Sequence, residues 1–365
     1  MATGTEADAA MLDDGPSARE LAGGRLLVLA LVALIAAALV SMATSSTGIR
    51  LTALPQAIAS ALGGSNDAEH ARAALVLLDL RLPRTLLAIF VGGALAVAGA
   101  MMQGLFRNPL ADPGLVGVSS GATLAAVAFI VLGNTYLGGW QALMGIYALP
   151  VAAFAGGLIA TVALMSVASR HGGTAIATLL LAGIALGALT GALTGILAYI
   201  SNDRELRDLT LWSMGSFAGS SWSKVLAITP FALILVVAMP GLVRALNGLL
   251  LGEAEAYHLG IDLEAAKRRI VVLTALAVGG SVAVAGIIGF VGIVVPHLVR
   301  MIAGPNHRTL LPASALLGAV LVLAADVIAR IIVAPAELPI GIIMAIIGAP
   351  VFLNLILKRS SGVVL

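Results

Sequence analysis

Cysteine is absent from this chain of 365 residues, which excludes disulfides, thiolate metal ligands and thiol nucleophiles. Charge is almost as scarce. Only 10% of the residues are Asp, Glu, Lys or Arg, where a soluble domain carries about a quarter, so the chain lacks the polar surface that would keep it in water. Lysine is reduced to Lys224, Lys267 and Lys358. None stands in the G-x-x-x-x-G-K-[ST] loop that grips nucleotide phosphates, so any ATP-driven work has to come from another chain. The five histidines (His70, His171, His258, His297, His307) fall at helix ends and in loops without i, i+4 or HExxH spacing, and read as ordinary surface residues rather than metal ligands. A net charge of +2 gives no ground for a nucleic-acid partner.

What is present is apolar. Hydrophobic residues make up 60% of the chain. They stand in long runs, as at 26–40 and 315–325, that do not alternate with polar residues as membrane strands would. Such runs fit helices supplying about 20 residues each to cross a hydrocarbon core of about 30 Å. Ten blocks predict helices near 25–43, 84–106, 115–133, 142–168, 174–200, 224–244, 269–288, 290–303, 309–333 and 339–357. Loop punctuation such as Gly304-Pro-Asn-His-Arg308 and Pro335-Ala-Glu-Leu-Pro339 separates them, and 201–208 reads as a further loop. The stretch 44–80 is mixed in character and is expected outside the membrane, partly helical. Residues 1–24 are polar and acidic (Glu6, Asp8, Asp13, Asp14, Glu20), without the basic start of a secretory signal, and read as a disordered cytoplasmic tail. Residues 25–358 then form the transmembrane domain and 359–365 a short cytoplasmic C-terminal tail.

Among 42 glycines, Gly187, Gly191 and Gly195 form two overlapping GxxxG units on one helix face. Small residues drive helix association in lipid. This stripe fits either dense packing within the subunit or contact with a second copy. The distribution of Lys and Arg favours cytoplasmic N- and C-termini, since 244–308 is rich in them; Arg81, Arg84 and Arg330 oppose that bias on the outer side. Asp326 and Arg330, four apart on the ninth helix, share one face as a pair. One pair near a helix end is a poor proton relay, which argues against an ion-coupled carrier. The string Ala96-Val-Ala-Gly99 recurs as Ala283-Val-Ala-Gly286, a faint sign of two related halves of opposite topology.

Further strings carry a resemblance. Arg81-Leu-Pro-Arg84, Gly92-Gly-Ala-Leu-Ala-Val-Ala-Gly99, Asn108-Pro-Leu-Ala-Asp-Pro-Gly114, Trp212-Ser-Met-Gly215, Leu251-Gly-Glu-Ala-Glu-Ala-Tyr-His-Leu-Gly260, Gly289-Phe-Val-Gly-Ile-Val-Val-Pro-His-Leu-Val-Arg300 and Glu337-Leu-Pro-Ile-Gly341 resemble, in order, the FecCD permeases for iron-siderophores, haem and cobalamin. The resemblance implies an all-α membrane protein of about ten transmembrane helices, in two inverted-repeat-like halves, with the type II ABC importer permease fold. It implies a homodimer in the bacterial inner membrane with its path on the two-fold axis. Two ATPase subunits, carrying the ATP and Mg, dock below, and a periplasmic substrate-binding protein docks above; the permease itself is no enzyme and holds no permanent cofactor or metal.

Matched residue by residue, the resemblance places binding-protein docking at Arg81, Arg84 and Arg330. It places ATPase coupling within 246–267, at Leu251, Gly252, Glu253, Glu255, His258, Leu259 and Gly260, read as two short amphipathic helices. A cytoplasmic gate falls at Thr174, Ala175, Ile176, Ala177 and Thr178, small and apolar enough to close by contact. The Asp112-Pro-Gly114 string looks most like members that carry haem, with ferric siderophore and cobalamin as alternatives, and Asp112 is expected to face the cytoplasm.

Overall fold

The computed structural model describes residues 18–44, 51–61, 68–136, 138–169 and 176–360. Every regular element among them is helical. In chain order they are α1 (Ala18–Ala43), α2 (Leu54–Ala61), α3 (Ala68–Ala74), α4 (Leu82–Leu105), α5 (Val118–Tyr136), α6 (Gly138–Met144), α7 (Ala148–Ala168), α8 (Ile176–Ile200), α9 (Asp203–Ser213), α10 (Trp222–Leu251), α11 (Glu253–His258), α12 (Leu263–Ala285), α13 (Val291–Ala303), α14 (His307–Ile331) and α15 (Ile340–Ser360). Seven of the helical runs are long and apolar enough to cross a membrane, and three shorter apolar helices (within α5, α13 and α15) bring the described total to ten. Each of the ten apolar blocks in the sequence corresponds to one of these helices.

The helices sort by how much of them the chain itself covers. The most apolar window of the α3–α4 run is 78% buried, that of α8 only 11%. In lipid both kinds of surface are satisfied by apolar side chains, so hydropathy alone cannot separate them. Alanine and glycine can. Gly92 of α4 lies against the backbone of Gly318 on α14, and Gly99 against Gly292 on α13; a Cβ at these sites would run into the facing carbonyl. The backbones of α4, α13 and α14 therefore touch, and α4 becomes the central post of the bundle. From Ala94 to Met102 α4 is almost all Gly, Ala, Val and Met, every residue buried.

Two ends follow from the contacts. At one end, here the arginine end, the close of α1 and α14 meets the start of α4 through Arg330, Ser41 and Thr85. The close of α12 and the start of α15 meet the 214–216 turn there, through Ser216 N–H to Ala285 O and Ile340 N–H to Gly215 O. At the other, the coupling end, the start of α14 meets the close of α4 and α10. The alternation is that of ten spans, with the start of α1 and the close of α15 both on the coupling side. Helices α4 and α12, which carry the repeated strings, run in opposite directions.

Four expectations need correction. Helix α1 begins at Ala18, so 18–24 belong to the first helix rather than to a tail; residues 1–17 lie outside the described residues. The run 68–105 is continuous, α3 passing through a π-helical turn at Leu75–Arg81 into α4. Its 38 residues reach about 57 Å at 1.5 Å per residue, so it overshoots the hydrocarbon and carries Arg81 and Arg84 at its outer part. The 201–208 loop is the start of α9, opened by a capping box in which Asn202 accepts from Glu205 N and Glu205 reaches back to Asn202 N. Finally, the segment that carries Asp112, expected to face the cytoplasm, leaves the surface after Asn108: Arg107 and Asn108 are exposed, whereas Ala111, Pro113 and Val116 are buried. Its turn at Pro113–Val116 folds inward: Pro113 abuts Gly292, and Val116 O accepts from Thr161 Oγ1 at 3.4 Å, midway along α7. Asp112 is half-buried in that turn and accepts from Gly114 N at 2.7 Å.

Candidate functional site

The arginine end gathers the three expected docking residues, but not as an exposed basic patch. Arg84 grips Asp326 with Nε and Nη2, the latter at 2.9 Å, and Glu337 with Nη1 at 2.8 Å. Arg330 holds the other Asp326 oxygen at 3.1 Å and donates to Thr44 O at 2.9 Å and Ser41 Oγ at 3.1 Å. Arg81, only 5% exposed, donates to Met42 O at 2.7 Å. Asp326 is 1% exposed and bridges Arg84 and Arg330. A guanidinium left unpaired at this depth would be costly, and that cost is the reason each of the three is met by oxygens of its own chain. The spacing of Asp326 and Arg330 made their pair legible; nothing local announced that Arg84, 242 positions away, shares the same carboxylate.

Around this network lies a cavity of about 450 Å³ lined by Arg81, Arg84, Phe217, Ser220, Arg330 and Glu337. Glu337 also borders a second cavity, with Lys224 and Trp212. Its side chain is 36% exposed, so of Arg84's two carboxylate partners it is the one within reach of a competitor. The arrangement can take an incoming carboxylate on Arg84 by displacing Glu337, while Asp326 keeps the guanidinium in place.

At the coupling end, 246–267 forms one free-standing short helix rather than two. Residues 246–251 complete α10, 263–267 start α12, and only α11 stands between them. Gly252, at φ 122, and Gly260, at φ 72, make the turns that detach it, conformations that cost a side-chain-bearing residue. Leu251, Glu253, Glu255, Tyr257, His258 and Leu259 are exposed, whereas Ala256 is fully buried. The helix is fastened on both flanks. Lys267 Nζ holds Glu253 at 2.8 Å and Glu264 at 3.6 Å; Arg244 donates to Leu259 O at 3.2 Å. A hydrogen bond from Ile261 N to Ala256 O closes the far turn. The result is a polar knob with a fixed base, able to move only with α10 and α12.

Of the gate residues, Thr174 and Ala175 lie outside the described residues. Ile176, Ala177 and Thr178 form the first turn of α8, the latter two exposed. Farther along α8, among the described residues, Gly191 and Gly195 face open space and Gly187 meets only Ser120, so the glycine stripe does not serve packing among those residues.

Sequence reasoning missed a second polar network, on the part of α10 that leads into α11. His307, expected at the surface, is fully buried and bonded to Asn247. Nearby, Arg300 donates to Gln103 Oε1 at 2.9 Å, and Gln103 Nε2 reaches Gly292 O at 3.2 Å. The strings that hold these residues were visible; their pairing across helices was not.

Residues 32–358 match the FecCD transport family. Over 284 residues the chain is 50% identical to the hemin transport system permease protein HmuU of Yersinia pestis, covering 77% of this chain and 83% of that one. It is 44% identical over 281 residues to the cobalamin import system permease protein BtuC of Halobacterium salinarum, covering 77% and 73%. Among solved structures, an inward-facing metal-chelate type ABC transporter superposes with a TM-score of 0.79 at 32% identity, covering 92% of this chain and 99% of that one. With ten apolar helices, a detached polar knob and no nucleotide-gripping loop, the chain belongs to the FecCD transport family and is a multi-pass permease subunit of an ABC importer, not its ATPase.

Proposed function

We propose that this permease passes haem from a periplasmic binding protein to the cytoplasm, along the axis of a homodimer, while a separate pair of ATPase subunits hydrolyses ATP. The observation that carries the choice of cargo is the 50% identity to a hemin permease over most of both chains. Charge agrees with it. Around the two cavities at the arginine end four cations (Arg81, Arg84, Arg330, Lys224) stand against two carboxylates (Asp326, Glu337). A net positive mouth attracts a ligand bearing propionates and gives a neutral corrinoid no such advantage. On this reading the arginine end is periplasmic and receives the binding protein, whose acidic groups meet Arg84 in competition with Glu337. The coupling end is cytoplasmic, in the inner membrane, and α11 inserts its exposed face into the ATPase. The uncovered stripe of α8 meets a second copy, which supplies the covering that Gly191 and Gly195 lack among the described residues. Cobalamin is the second reading, favoured by relatives at 44–45% identity.

The test is uptake in proteoliposomes holding the permease, its ATPase and its binding protein, offered haem, a ferric siderophore or cobalamin with and without ATP. ATP-dependent haem accumulation is expected. Accumulation of another chelate alone would overturn the choice of cargo and leave the importer standing.

A further inference from the structure

Helix α14 has a polar fastening at each end. Its 25 residues span about 37 Å. At one end Asp326 and Arg330 are tied to Arg84, as described. At the other end the fastening is Asn247, on the last part of α10, just ahead of the glycine that releases α11. Asn247 Oδ1 stands 2.9 Å from both the backbone N and Nδ1 of His307, the first residue of α14. Asn247 Nδ2 donates to Asn306 Oδ1 at 2.9 Å, and that oxygen also caps α14 by accepting from Arg308 N at 3.0 Å.

The orientation of this amide is fixed by its partners. A backbone N–H can only donate, so the oxygen must face His307; the amide nitrogen must then face the Asn306 oxygen. Nδ1 of His307 is in turn the protonated nitrogen. Asn247 thus satisfies donors on α14 and an acceptor at its cap with one side chain. His307 is fully buried and Gly104, at the close of α4, packs against its ring. Beyond the clasp α14 cannot slide freely. Gly318 touches the backbone of Gly92, and Thr309 packs on Gly23 of α1. Displacing α10 at its coupling end must therefore displace α14, and α4 with it.

We propose that Asn247 is the positioning residue through which the ATPase-facing helix α11 is coupled to α14, so that nucleotide state at one end sets the arrangement of Arg84, Asp326 and Arg330 at the other. The proposal rests on the reading of the two ends as docking and coupling surfaces. Coupling of this kind is reciprocal: the factor by which nucleotide changes binding-protein affinity is the factor by which the binding protein changes nucleotide affinity. Asn247 lies on α10 ahead of the exposed residues of α11 and spends its side chain on Asn306 and His307, so its removal should change that factor and not either affinity alone.

The experiment uses the full complex in lipid nanodiscs and measures binding-protein affinity without nucleotide and with a non-hydrolysable ATP analogue. Asn247→Ala is expected to bring the ratio of the two affinities at least threefold closer to one, with nucleotide-free docking and basal ATPase within twofold of wild type. A purely structural role would lower assembly without moving the ratio. Because the chain has no cysteine, N247C with N306C introduces its only thiols, and a short thiol cross-linker between them should restore the ratio in the same preparation. A wild-type ratio of one, an unchanged ratio in N247A, or no effect of the cross-link overturns the proposal. Docking that is indifferent to Arg81→Glu with Arg84→Glu would instead overturn the reading on which it rests.

Discussion

Asp326 is the residue whose loss the arginine end should feel most. It is 1% exposed and holds Arg84 at 2.9 Å and Arg330 at 3.1 Å. Asp326→Asn keeps the shape and removes the charge. Arg84 would retain Glu337, but Arg330 would keep only neutral acceptors, namely backbone carbonyls, the Ser41 hydroxyl and the new amide oxygen, on a side chain that is 11% exposed. Breaking a buried pair from one side typically costs about 3–5 kcal/mol, because the remaining charge is left in low dielectric. The presence of Glu337 and of the Ser41 and Thr44 carbonyls puts the expectation at the lower end, about 3 kcal/mol. Each kcal/mol lowers the midpoint by about 2–4 °C in a domain of moderate size, so thermal unfolding of the detergent-solubilised protein should fall by about 6 °C or more. Adding Arg330→Met to Asp326→Asn removes the orphaned cation, and should recover most of the loss. Unfolding of D326N within 1 °C of wild type, or a double variant worse than the single one, would refute the claim that this carboxylate is there to neutralise two buried guanidiniums.

Two other outcomes follow from the same contacts. Glu337→Gln frees one side of Arg84 without unburying it, and should tighten nucleotide-free docking of the binding protein by about threefold, the scale of a partly exposed ion pair; surface-plasmon titration against nanodisc-held complex checks it, and weaker docking would mean that Glu337 assists the partner instead of competing with it. A Cβ added at Gly191 meets no atom of the described residues within 4 Å, so Gly191→Leu should leave the monomer's thermal midpoint unchanged while shifting the permease from dimer to monomer on size-exclusion chromatography with light scattering. A dimer that survives G191L removes α8 from the interface.

The sequence made the spans legible because their signal is local. A run such as 315–325 has only to be long and apolar, and ten such runs matched ten helices to within a few residues at most ends. What escaped was either non-local or dependent on capping chemistry. The loop assigned at 201–208 begins with Asn202-Asp-Arg-Glu205, a capping box that could have been read directly. The π-helical entry to α4 had no such mark, since Leu75–Arg81 is compatible with several backbones. The glycine stripe on α8 was legible as a contact surface but not as to whose, because a helix facing lipid, a neighbour or a second copy can carry the same residues. Asn247 carried no signal at all: a lone Asn near a helix end reads as a solvated residue until the start of α14 is placed beside it.

The outward arginines tie these levels together. Arg81, Arg84 and Arg330 oppose the bias of positive charge toward the cytoplasm, and partners in another protein would explain them only while that protein is bound. The structure supplies partners within the chain: Met42 O for Arg81, Asp326 and Glu337 for Arg84, Asp326 and the close of α1 for Arg330. A cation satisfied internally can stand on the translocating side of a bilayer through the whole working cycle. It can also be reached by a second carboxylate if one internal partner is solvent-accessible, and Glu337 is. On the proposed docking role, stability and docking draw on different acids of the same cluster, the buried Asp326 for the one and the accessible Glu337 for the other, so substitutions at the two positions should separate: D326N lowering the unfolding temperature, E337Q altering partner affinity with little thermal cost.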